Sequence, residues 1–188
     1  MATATATAAT ASIKLKKLHE ITPAQKEQLV AIAGDPKVMQ YVANGRPWGG
    51  EKVSKLVHQA KSDWKEDWKD WKAWMHWAIM LNDNDVIGYL AIFPEQQKEK
   101  EEKDKYFLRY FIRQDLQREG YGSQALRLAL AQFRLLRPDT RRIYASVHDT
   151  NLGGKAFLDK HGFIQVGFGL GKIGIISIKD YYKKLSCI

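Results

Sequence analysis

Cysteine is nearly missing from this chain: Cys187 stands alone among 188 residues. An internal disulfide framework is excluded, and a reducing, cytoplasmic setting is the expected one. No apolar run is long enough to cross a bilayer, so no membrane-spanning helix is expected. Arginine does not occur before Arg46, which argues against a transit peptide, and the opening MATATATAATAS lacks the hydrophobic block of a secretory signal. The Ala/Thr alternation of residues 1–11 reads as a disordered tail ahead of one domain, 12–188. Histidine and cysteine nowhere take the spacing of a metal site, so no metal is expected. Acid is the scarcer charge, 21 Asp and Glu against 30 Lys and Arg. The net charge of +9 favours anionic partners, nucleic acid, membrane surfaces and phosphorylated cofactors alike.

What is present alternates between two periods. Residues 12–18 (SIKLKKL) alternate polar and apolar and predict a strand. Thr22-Pro23-Ala24-Gln25 supplies a cap, a proline at the first helical position and a capping-box glutamine, for a helix that stops at Gly34. Asp35-Pro36 starts a second, short helix carrying Val38, Met39, Tyr41 and Val42. Residues 44–50 (NGRPWGG) are a loop. A longer helix is expected over 51–71, with Trp64, Trp68 and Trp71 on one face. Core packing is the expected role of that stripe. The interleaved Lys65, Lys69 and Lys72 are the one feature besides charge that points at nucleic acid.

Residues 74–81 and 86–93 read as a hairpin and 96–105 as a charged loop. A strand at 106–113, an apolar helix at 120–136, a strand at 142–148, a helix at 151–160 and strands at 163–168 and 173–182 follow. The order β-α-α-α-β-β-β-α-β-α-β-β predicts a single α/β domain, a mixed sheet flanked by helices.

The informative stretch is residues 106–126, YFLRYFIRQDLQREGYGSQAL. An apolar strand runs into Gln117-Arg118-Glu119-Gly120-Tyr121-Gly122, and a helix starts at once. Glycines at 120 and 122 let the backbone turn and present its amides without side-chain obstruction. Those amides, with the positive end of the helix dipole, suit a pyrophosphate, and Arg118 and Ser123 are placed to add contacts. Alone, such a turn reads as tight strand-to-helix geometry with glycine for its backbone freedom.

In context, the sequence resembles the GNAT N-acetyltransferases. Their pattern (Gln/Arg)-x-x-Gly-x-(Gly/Ala) is matched by Gln117 to Gly122. A second family element, an asparagine followed by a helix ending in Gly-Phe, is matched from Asn151 to Gly162-Phe163. The early capped helices look like the branch of ribosomal-protein N-terminal acetyltransferases. The resemblance implies transfer of an acetyl group from acetyl-CoA to a primary amine: a protein N-terminus, a lysine, or a small amine such as a polyamine. It implies that the backbone of Phe111, Ile112 and Arg113 pairs with the pantetheine arm, as a strand adds to an edge. The Ile112 amide is then placed to stabilise the oxyanion. Gln117, Arg118, Glu119, Gly120, Tyr121, Gly122 and Ser123 are implied around the pyrophosphate, Asn151 beside the thioester or pantetheine, and Lys155 toward the nucleotide end.

Two positions depart from the family. The tyrosine that protonates the departing thiolate in many members is Leu158 here, and the serine frequent in the N-terminal branch is Gly154. These departures leave open an alternative, a non-catalytic fold of the same kind that binds acyl-CoA or a protein partner. His148, three residues before Asn151 at a strand end, is a candidate general base. A surface histidine would look the same. His76 in an apolar strand reads as a packed core residue, and Tyr110 either lines the site or packs on the sheet. The expected assembly is a monomer or a homodimer.

Overall fold

Thr22 and Gln25 bound their helix reciprocally: the Gln25 amide donates to Thr22 Oγ1 at 3.2 Å and the Thr22 amide to Gln25 Oε1 at 3.0 Å. The buried Gln25 then donates from Nε2 to the Asp83 carbonyl at 2.7 Å, tying this helix to a distant hairpin turn. In a computed structural model that describes residues 11–64, 74–94, 105–170 and 177–185, this helix is α1 (Pro23–Gly34). It follows strand β1 (Lys14–Lys17) and a 3-10 turn at Leu18–Glu20. Asp35 caps α2 (Pro36–Met39) by accepting from the Lys37 amide at 2.8 Å.

Helix α3 (Gly50–Asp63) ends where Trp64 turns aside and donates its indole N–H to the His76 carbonyl at 3.2 Å. The expected continuation toward Trp68 and Trp71 lies outside the described residues, as do the lysines between them and most of the charged loop at 96–105. Strands β2 (Met75–Met80), β3 (Val86–Pro94) and β4 (Tyr106–Ile112) form an antiparallel meander. Asn82 shapes the first turn by accepting from the amides of Asn84 and Asp85, both at 2.9 Å. After a 3-10 turn at Gln114–Leu116 come α4 (Tyr121–Leu136), β5 (Arg142–His148), α5 (Leu152–Lys160), β6 (Ile164–Leu170) and β7 (Ser177–Lys184).

Among the described residues the sheet has seven strands in the order β1-β2-β3-β4-β5-β7-β6. Every neighbouring pair is antiparallel except β4 and β5, which α4 connects in parallel. The two faces bury separate cores. One holds Trp77, Ile79, Leu90 and Ile92 against Leu126, Ala129 and Phe133 of α4. The other holds Ala78, Tyr89 and Phe111 against Leu29, Met39 and Val53 of α1–α3. The chain is one α/β sandwich with a mixed sheet between helical layers.

The strand pairing has a consequence for function. β4 pairs with β5 only over Tyr106↔Ile143, Phe107↔Tyr144 and Leu108↔Ala145. Yet β4 stays on β3 as far as Ile112, and β5 stays on β7 as far as His148. Past Leu108 and Ala145 the two strands part, so residues 109–112 and 146–148 face each other across an opening in the middle of the sheet.

Candidate active site

The edge that β4 shows to this opening follows from its ladder. The Arg113 amide donates to the Ile87 carbonyl at 2.8 Å. Alternation along an antiparallel pair then directs the amides of 109, 111 and 113 at β3, and those of Tyr110 and Ile112 away from it, into the opening. The Arg113 carbonyl is also used, accepting from the Leu116 amide at 3.0 Å. Both backbone polar groups of Arg113 thus have partners within the chain, and Phe111 points its amide at β3 while its ring packs edge-on to Trp48 at 5.6 Å. Ile112 keeps an outward amide, and its carbonyl accepts from Gln117 Nε2 at 3.0 Å. The Arg113 side chain is held by Asp115 at 2.8 Å and Asp85 at 3.2 Å.

The glycine turn closes one end of the opening. Arg118 and Gly120 both take left-handed backbone, at φ 69° and 85°, the conformation glycine adopts most readily. Gly120 caps α4 without any side-chain hydrogen bond. The helix ladder begins at the Gln124 amide, which donates to the Gly120 carbonyl at 3.1 Å. The amides of Tyr121, Gly122 and Ser123 precede that first bond and have no intrahelical acceptor. A Cβ at Gly122 would come within 3.3 Å of Phe157 and 3.7 Å of Tyr110. Its absence lets α4, α5 and β4 meet there, with the Tyr110 and Phe157 rings 4.7 Å apart. Burial pushes the Tyr110 phenol well above its usual range. Tyr121 turns its ring into the core. Ser123 Oγ shares a hydrogen bond with His161 Nε2 at 2.8 Å. Burial, then Lys160, Lys183 and Arg127, hold that imidazole below its usual proton affinity.

Across the opening, Asn151 accepts from the Gly154 amide at 2.8 Å and so caps α5. Its own amide donates to the His148 carbonyl at 2.9 Å. A Cβ at Gly154 would lie 2.6 Å from Asn151 Nδ2 and 2.8 Å from Val147 Cγ2, so the serine of the family's N-terminal branch has no room in this arrangement. Lys155 donates to the Asp149 carbonyl at 2.6 Å, folded back on the loop after β5. Leu158 is 3% exposed and belongs to the α4-side core. His148 Nδ1 accepts from the Thr150 amide at 3.2 Å and lies 2.8 Å from its hydroxyl. An amide can only donate, so the neutral ring carries its hydrogen on Nε2. The His148 ring is 5.6 Å from that of Tyr41.

No sequence motif marks the α1–α3 face of the same strands. His76 is buried as expected, but it is not merely packed. Its Nε2 donates to Asp63 Oδ2 at 3.1 Å and its Nδ1 lies 2.7 Å from the Tyr89 hydroxyl. Burial raises the Tyr89 phenol and keeps it neutral. Arg109 extends over the same face, and the period-2 alternation of β4 was the signal that would have found it. Among the described residues no group of His, Cys, Asp and Glu is disposed to hold a metal ion, and no helix is long and apolar enough to cross a membrane.

Residues 17–164 match the family described as Acetyltransferase (GNAT) domain. No curated protein sequence matches the chain significantly. Among solved structures it is similar to an acetyltransferase from Thermus thermophilus, with 22% identity and TM-score 0.66, covering 94% of this chain and 99% of that one. It is similar to an acetyltransferase from Salmonella typhimurium that modifies the N-terminal serine of the 50S ribosomal protein L7/L12, with 15% identity and TM-score 0.68, covering 93% and 96%. An aminoglycoside acetyltransferase, AAC(6')-Ib in complex with coenzyme A, superimposes with 13% identity and TM-score 0.69, covering 92% and 95%.

Proposed function

The chain belongs to the GNAT acetyltransferase family, and from that membership we propose that it moves the acetyl group of acetyl-CoA onto a primary amine. The observation that carries this reading is the parting of β4 and β5 with the uncapped start of α4 beside it. An extended pantetheine arm finds hydrogen-bonding edge in the gap, and its pyrophosphate finds amides and a helix dipole. The Ile112 amide points into the gap, where it stabilises the charge that develops on the thioester oxygen. The amine nitrogen forms its bond to the carbonyl carbon, the carbon–sulfur bond breaks, and coenzyme A leaves as the thiolate. One ammonium proton is removed before attack and one is available to the departing sulfur.

His148 is the proposed base, with Asn151 holding the strand end that carries it. For Nδ1 to accept a proton, the ring must release the Thr150 amide, so binding of the acceptor has to turn it. His148→Ala is expected to lower turnover on the order of a hundredfold while leaving coenzyme A affinity nearly unchanged. Turnover within about twofold, with an unchanged pH profile, would remove His148 from the mechanism. The likeness to a ribosomal-protein acetyltransferase favours a protein N-terminus over lysine or a polyamine as the acceptor. A cytoplasmic monomer or homodimer suits that reading. A second reading, a binding module without turnover, draws on the burial of Leu158 at the family's tyrosine position. A panel of amines and N-terminal peptides with acetyl-CoA, read by mass spectrometry, separates the two. Acetylated product supports transfer, and tight coenzyme A binding without product supports the module.

A further inference from the structure

The two faces of the opening are unlike. On the α4 face Leu108, Ile112, Ala145 and Val147 are buried. On the α1–α3 face Phe107, Arg109, Tyr144 and His148 are only half-buried and Ser146 is exposed. Since the uncapped amides belong to α4, a donor bound there approaches from the α4 side, and the acceptor meets it from the other face. Arg109 stands on that other face, on the first residue after β4 leaves β5.

Among the described residues no carboxylate pairs with Arg109. Its guanidinium lies over Phe93 at 4.9 Å and Trp74 at 5.9 Å. Among the described residues Asp63 is the acid on this face; it is held by His76 at 3.1 Å, and Tyr89 is neutral. A second cation is near: Lys52, placed 4.5 Å over the Trp48 ring, is held below its usual proton affinity by burial and by the charge of Arg109. Among the described residues a guanidinium set among ring faces beside another cation has no anion, and a carboxylate would meet it with charge-assisted hydrogen bonds.

Resting on the transferase reading, we propose that Arg109, with Lys52, is the acceptor-binding subsite that selects an amine whose molecule also carries a carboxylate. The backbone of position 109 is three residues from that of Ile112, about 10 Å at a strand's rise, and its guanidinium lies beyond, over the Phe93 and Trp74 rings. A free α-amino acid is too short for that span. An extended peptide covers it in about three residues, so the acceptor is an N-terminal peptide with Asp or Glu at its third or fourth position.

The test uses hexapeptides of one sequence, carrying a single Glu, Gln or Lys at each position from two to six. Binding is measured by calorimetry with coenzyme A present, and acetylation in parallel with acetyl-CoA. Glu at position three or four is expected to bind at least tenfold tighter than Gln, and Lys weaker still, with the preference shrinking as salt rises. Arg109→Gln should erase the Glu preference while leaving coenzyme A affinity and the Gln peptide unchanged. Lys52→Gln should reduce that preference in a less perturbed chain if Arg109→Gln does not fold. Equal binding of Glu and Gln peptides to the wild type, or a uniform loss on every peptide in Arg109→Gln, overturns the proposal. Tight, Glu-selective binding without acetylated product would support the subsite and sink the transferase reading. Acetylation indifferent to peptide charge would do the reverse.

Discussion

Gly154 shows what a single missing Cβ decides. The asparagine-plus-helix motif made Asn151 legible in the sequence, but the reason for glycine three residues later depends on a rotamer. Asn151 turns its side chain onto the Gly154 amide, and Val147 closes the space behind it. Gly154→Ser would force Asn151 off the amide, losing a cap worth about 1 kcal/mol. Overpacking adds roughly 1–3 kcal/mol more. The thermal midpoint should fall by about 4 °C or more in a chain of this size, read by calorimetry. Turnover should fall too, because the helix start beside the opening is disturbed. A variant of unchanged midpoint and raised turnover would show instead that the site accepts the family's serine as a working group. Arg109 carries no such local signal in the sequence. Among the described residues no carboxylate pairs with it, and that is visible only when its neighbours on the adjoining strands are known.

Elements were legible where their signals are local. The capping box of α1, the Asp35 cap of α2 and the β2–β3 turn are short-range chemistry, and each stands where the sequence put it. Boundaries set by distant partners were not legible. α3 stops at Asp63 because Trp64 and Asp63 both bond to His76, a residue of β2. β4 was expected to run through Arg113; the strand ends at Ile112, and Arg113 keeps its amide on the Ile87 carbonyl while its own carbonyl already accepts from the 3-10 segment. The start of α4 is the element on which the donor assignment rests. Gly120→Ala and Gly120→Asp both force a side chain into left-handed backbone, at a cost of about 1 kcal/mol. Only aspartate adds a negative charge where the pyrophosphate is proposed to sit. Coenzyme A affinity, measured by calorimetry, should therefore drop far more in the aspartate variant than in the alanine one. Equal affinities in two folded variants would move the cofactor elsewhere.

At the scale of the whole molecule, the opening between β4 and β5 arises from the two strands keeping different partners for different lengths. No window of sequence reports that length, although the strands and their order were readable. The +9 charge was also readable, but not its arrangement. Three of its cations, Lys160, Lys183 and Arg127, surround His161, and with burial they hold this ring below the usual imidazole value near 6.5. The unfolded chain then binds a proton that the folded chain refuses, between that value and the lower folded one. Stability is thus complete above about pH 6.5 and declines as pH falls toward the folded value. His19 is displaced in the same direction, chiefly by burial, and adds to the decline. His161→Gln keeps a partner for Ser123 but cannot titrate, so its denaturant midpoint should fall less than the wild type's between pH 7 and about pH 5.5. Bound coenzyme A should act the other way. A pyrophosphate against the Ser123 amide, with Ser123 Oγ 2.8 Å from His161, favours the charged ring, so binding takes up a proton. Relative to His161→Gln, wild-type affinity for coenzyme A should therefore strengthen on acidification while the stability of the free protein weakens. Comparing the two proteins cancels the titration of the ligand's own phosphates. Calorimetric affinities that change with pH in parallel for both proteins would disconnect His161 from the cradle.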